Sequence, residues 1–206
     1  MILCIDLDDT LAYSAETIVE YAIKFDKDFF KRNTEIKEVK DCTDYYYFAN
    51  MLNWSTEDVI TFFNNCYLEY LPKIIMKEEA SNFCKKIKDL GIKIYIVTSR
   101  VEKGNDIVLN YTKRMLEDYD ISYDELFINV SDKGLFLKDI NPDYFVDDSI
   151  TNCISVKENC PNTNSLLIST KFNKSINNDK INRVDNLDVL YDYILKDFLM
   201  KKIVNQ

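Results

Sequence analysis

No histidine occurs anywhere in the 206 residues, and that absence closes off much of enzyme chemistry. Neither a Ser-His-Asp nor a Cys-His arrangement can be built, and no imidazole is present to trade protons near neutral pH. Zinc loses its usual nitrogen ligand, and the six cysteines, at 4, 42, 66, 84, 153 and 160, form no CxxC pair to replace it. A basic run is also missing. Lys+Arg 26 against Asp+Glu 35 leave a net charge of −9, which argues against a nucleic-acid polymer as partner. No apolar stretch reaches the ~18–20 residues of a membrane span, and the chain enters its first strand too early to leave room for a signal peptide. Cys4, Cys84 and Cys153 fall on apolar faces of predicted elements, as reduced core cysteines do. The expected setting is therefore the cytoplasm, away from membranes. Proton transfer is left to carboxylates, lysine, tyrosine, cysteine or metal-bound water.

What the chain does have is carboxylates at the ends of apolar strands. Ile2-Leu3-Cys4-Ile5 runs into Asp6-Leu7-Asp8-Asp9-Thr10. Tyr144-Phe145-Val146 runs into Asp147-Asp148-Ser149, and Ile94-Tyr95-Ile96-Val97 into Thr98-Ser99-Arg100. In open α/β sheets, ligands bind just outside the carboxyl ends of the strands. Acids placed there can hold a hard divalent cation, and one of them can act as a nucleophile.

Strand-like runs recur at Ile2–Asp6, Lys93–Thr98, Leu126–Val130, Tyr144–Asp147 and Ser165–Ile168, separated by helical patterns at Lys77–Leu90, Asn105–Tyr119 and Asn186–Leu199. The alternation predicts an α/β fold, a Rossmann-like parallel sheet with helices on both faces. Gly91 is placed to end the 77–90 helix. Residues 14 to 73 break the pattern, with helical periodicity and no buried strand. Ser14 is placed to cap a helix through Phe30, and Ser55-Thr56-Glu57-Asp58 to start one through Tyr70, stopped by Pro72. Asn173–Asn182 reads as a polar loop.

The three strand ends, in this order, resemble the haloacid dehalogenase superfamily of phosphotransferases. Its signature strand followed by Asp-x-Asp-x-Thr is met by Asp6, Asp8 and Thr10, its second motif by Thr98, and its paired-acid motif by Asp147 and Asp148. The layout is most similar to the deoxyribonucleotidase and bacterial nucleotidase-like group. That resemblance implies a catalytic core of residues 1–13 and 74–206, with 14–73 as a small helical cap inserted after the first strand.

It further implies a Mg²⁺-dependent phosphoric monoester hydrolase. Asp6 would be the nucleophile that forms an aspartyl-phosphate, and Asp8 the general acid and base. Asp6, Asp147 and the backbone carbonyl of Asp8 would hold the Mg²⁺, with Asp148 fixing its waters or the loop. Thr98 would hydrogen-bond a phosphoryl oxygen. Ser99 is either a helper there or a helix N-cap, and Arg100 either a substrate contact or a solvated residue at a helix start. Relatives commonly carry glycine at the position of Asp9, read here as an exposed turn residue. The motif's lysine is either Lys133, which follows the third strand and opens a short helix, or Lys138, nearer Asp147; Lys133 is favoured.

Tyr45-Tyr46-Tyr47-Phe48 and Trp54 lie in the cap. They could stack on a nucleobase, but a small helical cap also needs large rings to build its own core, and that reading is preferred. The expected partner is a small phosphorylated metabolite, best a nucleoside 5′-monophosphate, acted on by a monomer or homodimer. The alternatives are a phosphatase or phosphomutase acting on a sugar phosphate, and a non-catalytic binding module that keeps the fold.

Overall fold

The structure, a computed structural model, describes residues 1–38 and 47–204. Along the chain run β1 (Ile2–Ile5), β2 (Ala12–Tyr13), α1 (Ser14–Asp28), α2 (Tyr47–Leu52), α3 (Thr56–Tyr70), β3 (Ile75–Met76), α4 (Ala80–Asp89), β4 (Lys93–Val97), α5 (Ile107–Asp118), β5 (Glu125–Phe127), α6 (Lys133–Leu137), β6 (Tyr144–Asp147), α7 (Ile150–Asn159), β7 (Asn164–Ile168), β8 (Asn182–Val184) and α8 (Leu187–Val204). Six strands form one parallel sheet in the order β5-β4-β1-β6-β7-β8. The chain winds outward from β1 through β4 to β5, then returns to the other side of β1 for β6. β1 therefore lies at the point where the winding reverses, and its carboxyl end faces the crevice that such a reversal opens.

Side-chain alternation divides the core into two layers. Leu3, Ile5, Ile94, Ile96, Tyr144, Val146, Leu166 and Ile168 face one side, where α4, α5, α8 and the helices before β3 pack. Cys4, Val97, Phe145 and Leu167 face the other, against Leu137 of α6 and Cys153 and Val156 of α7. Both faces are covered, so the central strands β1, β4, β6 and β7 are largely apolar, as buried parallel strands must be. Cys4, Cys84 and Cys153 are indeed buried and free. Gly91 closes α4 at φ 76°, its N–H bonded to the Lys88 carbonyl at 2.8 Å. Only glycine adopts that conformation without cost.

Helices α1, α2 and α3 lie between β2 and β3, which pair antiparallel (Ala12 with Met76, Tyr13 with Ile75) in a two-stranded stem. Two-residue strands leave no periodic signal, and neither was expected. Ser55 caps α3 with a complete capping box: its hydroxyl accepts from the Asp58 N–H, and the Asp58 carboxylate accepts from the Ser55 N–H. Ser14 does not cap α1; Tyr13 holds that position and Ser14 lies inside the first turn. The reason is Asp9, whose Oδ1 takes the Ala15 N–H at 2.8 Å and so does the capping from outside the helix.

The rings of this region mostly pack on one another. Phe25, Phe48, Trp54 and Phe62 form an edge-to-face cluster, and the Trp54 indole donates to buried Asp26 at 2.7 Å. Tyr47 instead stacks on Phe172, beyond β7, at 4.1 Å between centroids. Tyr45 and Tyr46 lie outside the described residues. The sequence also left β8 unrecognised, because Asn182-Arg183-Val184 is a short polar edge strand. No helix among the described residues is long and apolar enough to cross a membrane.

Candidate active site

Register brings the strand ends together. Ile5 pairs with Ile96 on one side and with Val146 on the other. The next residues, Asp6 and Asp147, then leave the sheet on adjacent strands at one level, and the Asp6 N–H bonds to the Val146 carbonyl at 2.9 Å. Thr98 leaves β4 alongside, with its N–H on the Phe127 carbonyl at 2.9 Å. Asp6, Asp8, Thr98 and Asp147 are all buried.

Lys133 reaches this cluster from the opposite layer. Its side chain is 1% exposed, and Nζ donates to Asp6 Oδ1 and, at 2.7 Å, to Asp147 Oδ2. The local sequence explains how it gets there. Asp132 caps α6 through the Leu135 N–H (3.0 Å) and accepts from Ser155 Oγ of α7 (3.0 Å). Gly134 lies directly against Ser155, where a β-carbon would overlap both its hydroxyl and its backbone. This close approach of α6 to α7 aims Lys133 at the strand ends. Lys138 is exposed.

Asp147 is held on both oxygens by Asn152 Nδ2, at 3.1 Å each, and on Oδ1 by the Ser149 N–H at 2.8 Å. Asn152 was not anticipated from the sequence; its place in the first turn after the paired-acid motif was the available signal. Oxygens of Asp6, Asp147 and Asp148 all lie within 4.8 Å of one another. That donor set is entirely oxygen and suits a hard divalent cation such as Mg²⁺. The Lys133 ammonium between two of these acids marks a place where positive charge is favoured.

Electrostatically the centre holds more acid than base. Asp6, Asp8, Asp9, Asp147 and Asp148 stand against Lys133, Arg100 and Lys77, which donates to the Asp9 carbonyl at 2.9 Å. Burial pushes the Asp6 carboxyl up to about 8; Lys133 opposes the shift, and Asp147 and Asp8 add to it. Burial raises Asp9 to about 7 and holds Asp148 well above the carboxylate range, with Asp9 and Asp147 repelling it. For Lys133, burial works against the charge, but Asp147 and Asp6 outweigh it and hold the ammonium above the ordinary lysine value. Asp8 is also buried, yet the Arg100 guanidinium overcomes that penalty and holds its carboxyl below the usual range.

Three sequence expectations change here. Arg100 is not solvated: it is 4% exposed and forks onto Asp8, with Nε to Oδ2 and Nη2 to Oδ1 both at 2.8 Å. Ser99 caps no helix, since α5 begins only at Ile107; its hydroxyl instead donates to the Val130 carbonyl at 2.8 Å, tying two loops together. Asp9 is half-buried, at φ 59°. The left-handed backbone explains why glycine suits this position in relatives, and aspartate is among the few other residues that tolerate it.

Above the strand ends lies a cavity of about 750 Å³. Its upper wall is α3, through Val59, Ile60, Phe63, Asn64 and Tyr67, and its floor includes Asp8, Ser99, Arg100, Asn129, Ser131 and Asn152. Tyr47, Phe48 and Trp54 do not line it. The rings at the cavity are Phe63, Tyr67 and Tyr70, which helical spacing alone could not separate from the cap's interior.

A parallel sheet reversing at β1, a helical insertion after that strand, and carboxylates, threonine and lysine converging at the strand ends define a haloacid dehalogenase-like hydrolase. Solved structures share the fold at low identity. A predicted phosphatase from Clostridium acetobutylicum superposes with a TM-score of 0.68 at 16% identity, over 95% of this chain and 98% of that one. A haloacid dehalogenase-like family hydrolase from Streptococcus pneumoniae gives 0.64 at 13% identity, over 93% and 97%. Protein Tyrosine Kinase A of Mycobacterium tuberculosis gives 0.67 at 13% identity, over 93% and 96%, a reminder that this fold alone does not fix the chemistry. No curated protein matches the chain in sequence. The sequence profile of the 5′-nucleotidase family, however, matches residues 56–171. The chain belongs to that family and is a phosphoric monoester hydrolase.

Proposed function

We propose that this enzyme is a Mg²⁺-dependent, cytoplasmic 5′-nucleotidase that hydrolyses (deoxy)nucleoside monophosphates through an aspartyl-phosphate. The observation that carries the reading is Asp6, paired with Lys133 beside Asp147, in a narrow cleft that shares Asp8, Ser99, Ser149 and Asn152 with a cavity walled in part by Phe63 and Tyr67. Asp6 attacks phosphorus as the bond to the leaving oxygen breaks; Asp8, held ionised by Arg100 in the free enzyme, takes up a proton from solvent as substrate binds and gives it to that oxygen. Asp8 then takes a proton from the water that attacks the phosphorus of phospho-Asp6, releasing phosphate and restoring both carboxyls. Thr98 and Lys133 hold the phosphoryl oxygens, and Lys133 also keeps Asp6 oriented.

Asp6, Asp147 and the Asp8 carbonyl, with Asp148 alongside, would hold the Mg²⁺. The bound ion would offset the repulsion between an anionic nucleophile and an anionic phosphate. Ser99 shapes the loop under the phosphate. Residues 14–73 act as the cap, joined to the core of 1–13 and 74–206 at the stem. The Phe63 and Tyr67 wall favours a flat base over a hydroxyl-rich sugar. Buried free cysteines such as Cys4, Cys84 and Cys153 suit a reducing compartment.

The test is phosphate release with Mg²⁺ from a panel of nucleoside 5′-monophosphates, sugar phosphates and p-nitrophenyl phosphate. The expected result is highest kcat/KM on a nucleoside monophosphate. Preference for a sugar phosphate would replace the substrate assignment, and no release from any monoester would leave only a binding module.

A further inference from the structure

Arg100 is built into the site more firmly than a substrate contact requires. Besides its fork onto Asp8, Nη1 bonds to Thr112 Oγ1 at 3.1 Å, and that hydroxyl donates to the Val108 carbonyl at 2.8 Å. Thr112 is completely buried in the middle of α5. The Arg100 N–H meets Thr98 Oγ1 at 3.3 Å, and its carbonyl accepts from the Asn129 N–H at 2.9 Å. Head and backbone are both anchored, the head on helix α5 through Thr112 and the backbone on Thr98 and Asn129.

The location separates two roles. The narrow cleft that holds Asp6, Lys133, Thr98 and Asp147 is bordered by Asp8 but not by Arg100. Arg100 borders the large cavity, which shares Asp8, Ser99, Ser149 and Asn152 with that cleft. A planar guanidinium holding both carboxylate oxygens fixes the plane of the carboxyl group, which a lysine's single ammonium cannot do. An acid or base must sit within roughly 2.6–3.2 Å of the oxygen it serves. Asp8, on the loop after β1, is linked through Arg100 to α5, and the Thr98 hydroxyl also donates to its Oδ2 at 3.4 Å.

We propose that Arg100 is a positioning residue, anchored on Thr112, that orients Asp8 toward the leaving group and does not bind the transferred phosphoryl group. This rests on the phosphatase mechanism above. Arg100 moves no proton itself; the proton passes from Asp8 to the leaving oxygen, and later from water to Asp8. Loss of Arg100 therefore matters most where the leaving oxygen needs that proton.

The test compares Arg100→Ala, Arg100→Lys and Thr112→Val with wild type, all with Mg²⁺, on a nucleoside 5′-monophosphate and on p-nitrophenyl phosphate. The first releases an alcohol that must be protonated; the second releases a stable phenolate. Arg100→Ala should slow formation of phospho-Asp6 from the nucleotide, read by rapid quench, by about 10²-fold, the lower end of what general acid catalysis supplies. With p-nitrophenyl phosphate that first step should slow much less, giving a burst of p-nitrophenol before a turnover limited by hydrolysis of phospho-Asp6, where Asp8 is still needed as base. Added guanidinium ion should recover part of the lost nucleotide activity, and Arg100→Lys should recover little. Thr112→Val preserves shape and should show a smaller loss with the same leaving-group bias, so it carries the test if Arg100→Ala does not fold. Equal slowing of the first step on both substrates with no burst of p-nitrophenol, or a raised KM on both with kcat intact, would overturn the assignment and make Arg100 a phosphoryl ligand. An active wild type with those results sinks only the role of Arg100. A wild type inactive on every monoester sinks the mechanism and this role together.

Discussion

Lys133 is held almost out of water between two carboxylates, so its loss has two consequences. The transition state loses a donor to the phosphoryl oxygens, and Asp6 and Asp147 lose the charge that separates them. Removing one such donor typically costs ~2.7–4 kcal/mol, or about 10²–10³ in kcat. Lys133→Ala should show a fall of that order in steady-state kinetics, while Lys138→Ala, at an exposed position, should stay near wild type. The reverse ranking would move the motif lysine to Lys138. At this scale the sequence named Asp6, Asp8, Thr98 and Asp147 because each ends an apolar strand. It did not reveal that Arg100 turns back onto Asp8, because two adjacent motif residues and an acid some ninety positions away share no local pattern.

Gly134 shows what an element demands of one residue. A β-carbon there would overlap Ser155, so Gly134→Ala must push α6 away from α7. Overpacking of this kind costs ~1–3 kcal/mol, which for a chain of this size lowers Tm by roughly 2–4 °C per kcal/mol. Thermal denaturation measures that loss. Activity should fall further than stability alone explains, since α6 carries Lys133.

The capping box of α3 gives a pH dependence. Hydrogen bonding from Arg32 holds the Asp58 carboxyl below its ordinary value, against a small burial penalty, with the Ser55 N–H helping. A carboxyl lowered in the folded state stabilises at pH values above its unfolded value near 3.9. That stabilisation is lost as pH falls through the lower, folded value. Asp58→Asn should therefore lower Tm relative to wild type at pH 6, and the difference should shrink as the pH drops below about 4. A difference independent of pH would mean the carboxylate charge contributes nothing to the start of α3.

The whole molecule brings carboxylates from two strands into one centre, and a cation bound there engages only the folded chain. Such a ligand stabilises by about 2.7 kcal/mol when present at 100 times its dissociation constant. Mg²⁺ should accordingly raise Tm by roughly 5–10 °C, EDTA should reverse the rise and stop turnover, and Asp147→Asn should abolish the shift. A Tm indifferent to Mg²⁺ in wild type would remove the metal assignment.

The sequence by itself determined the strands that matter and the identity of the acids, while the reversal of the sheet at β1 came from the strand order. Apolar runs and the residues that end them are local facts, and a parallel sheet leaves little freedom in where such ends meet. It also marked Ser55 and Gly91, whose capping roles depend on neighbours within one turn. The tertiary structure alone decided what faces what. The sequence favoured Lys133, but that its ammonium meets Asp6 and Asp147 while α6 lies close against α7 at Gly134 and Ser155 is tertiary, and the two-residue stem strands exist only because they find each other. The tertiary structure likewise decided that Phe48 and Trp54 fill the interior while Phe63 and Tyr67 face the cavity. All four are large aromatic side chains, and only packing from helices distant in sequence determines which of them faces the cavity.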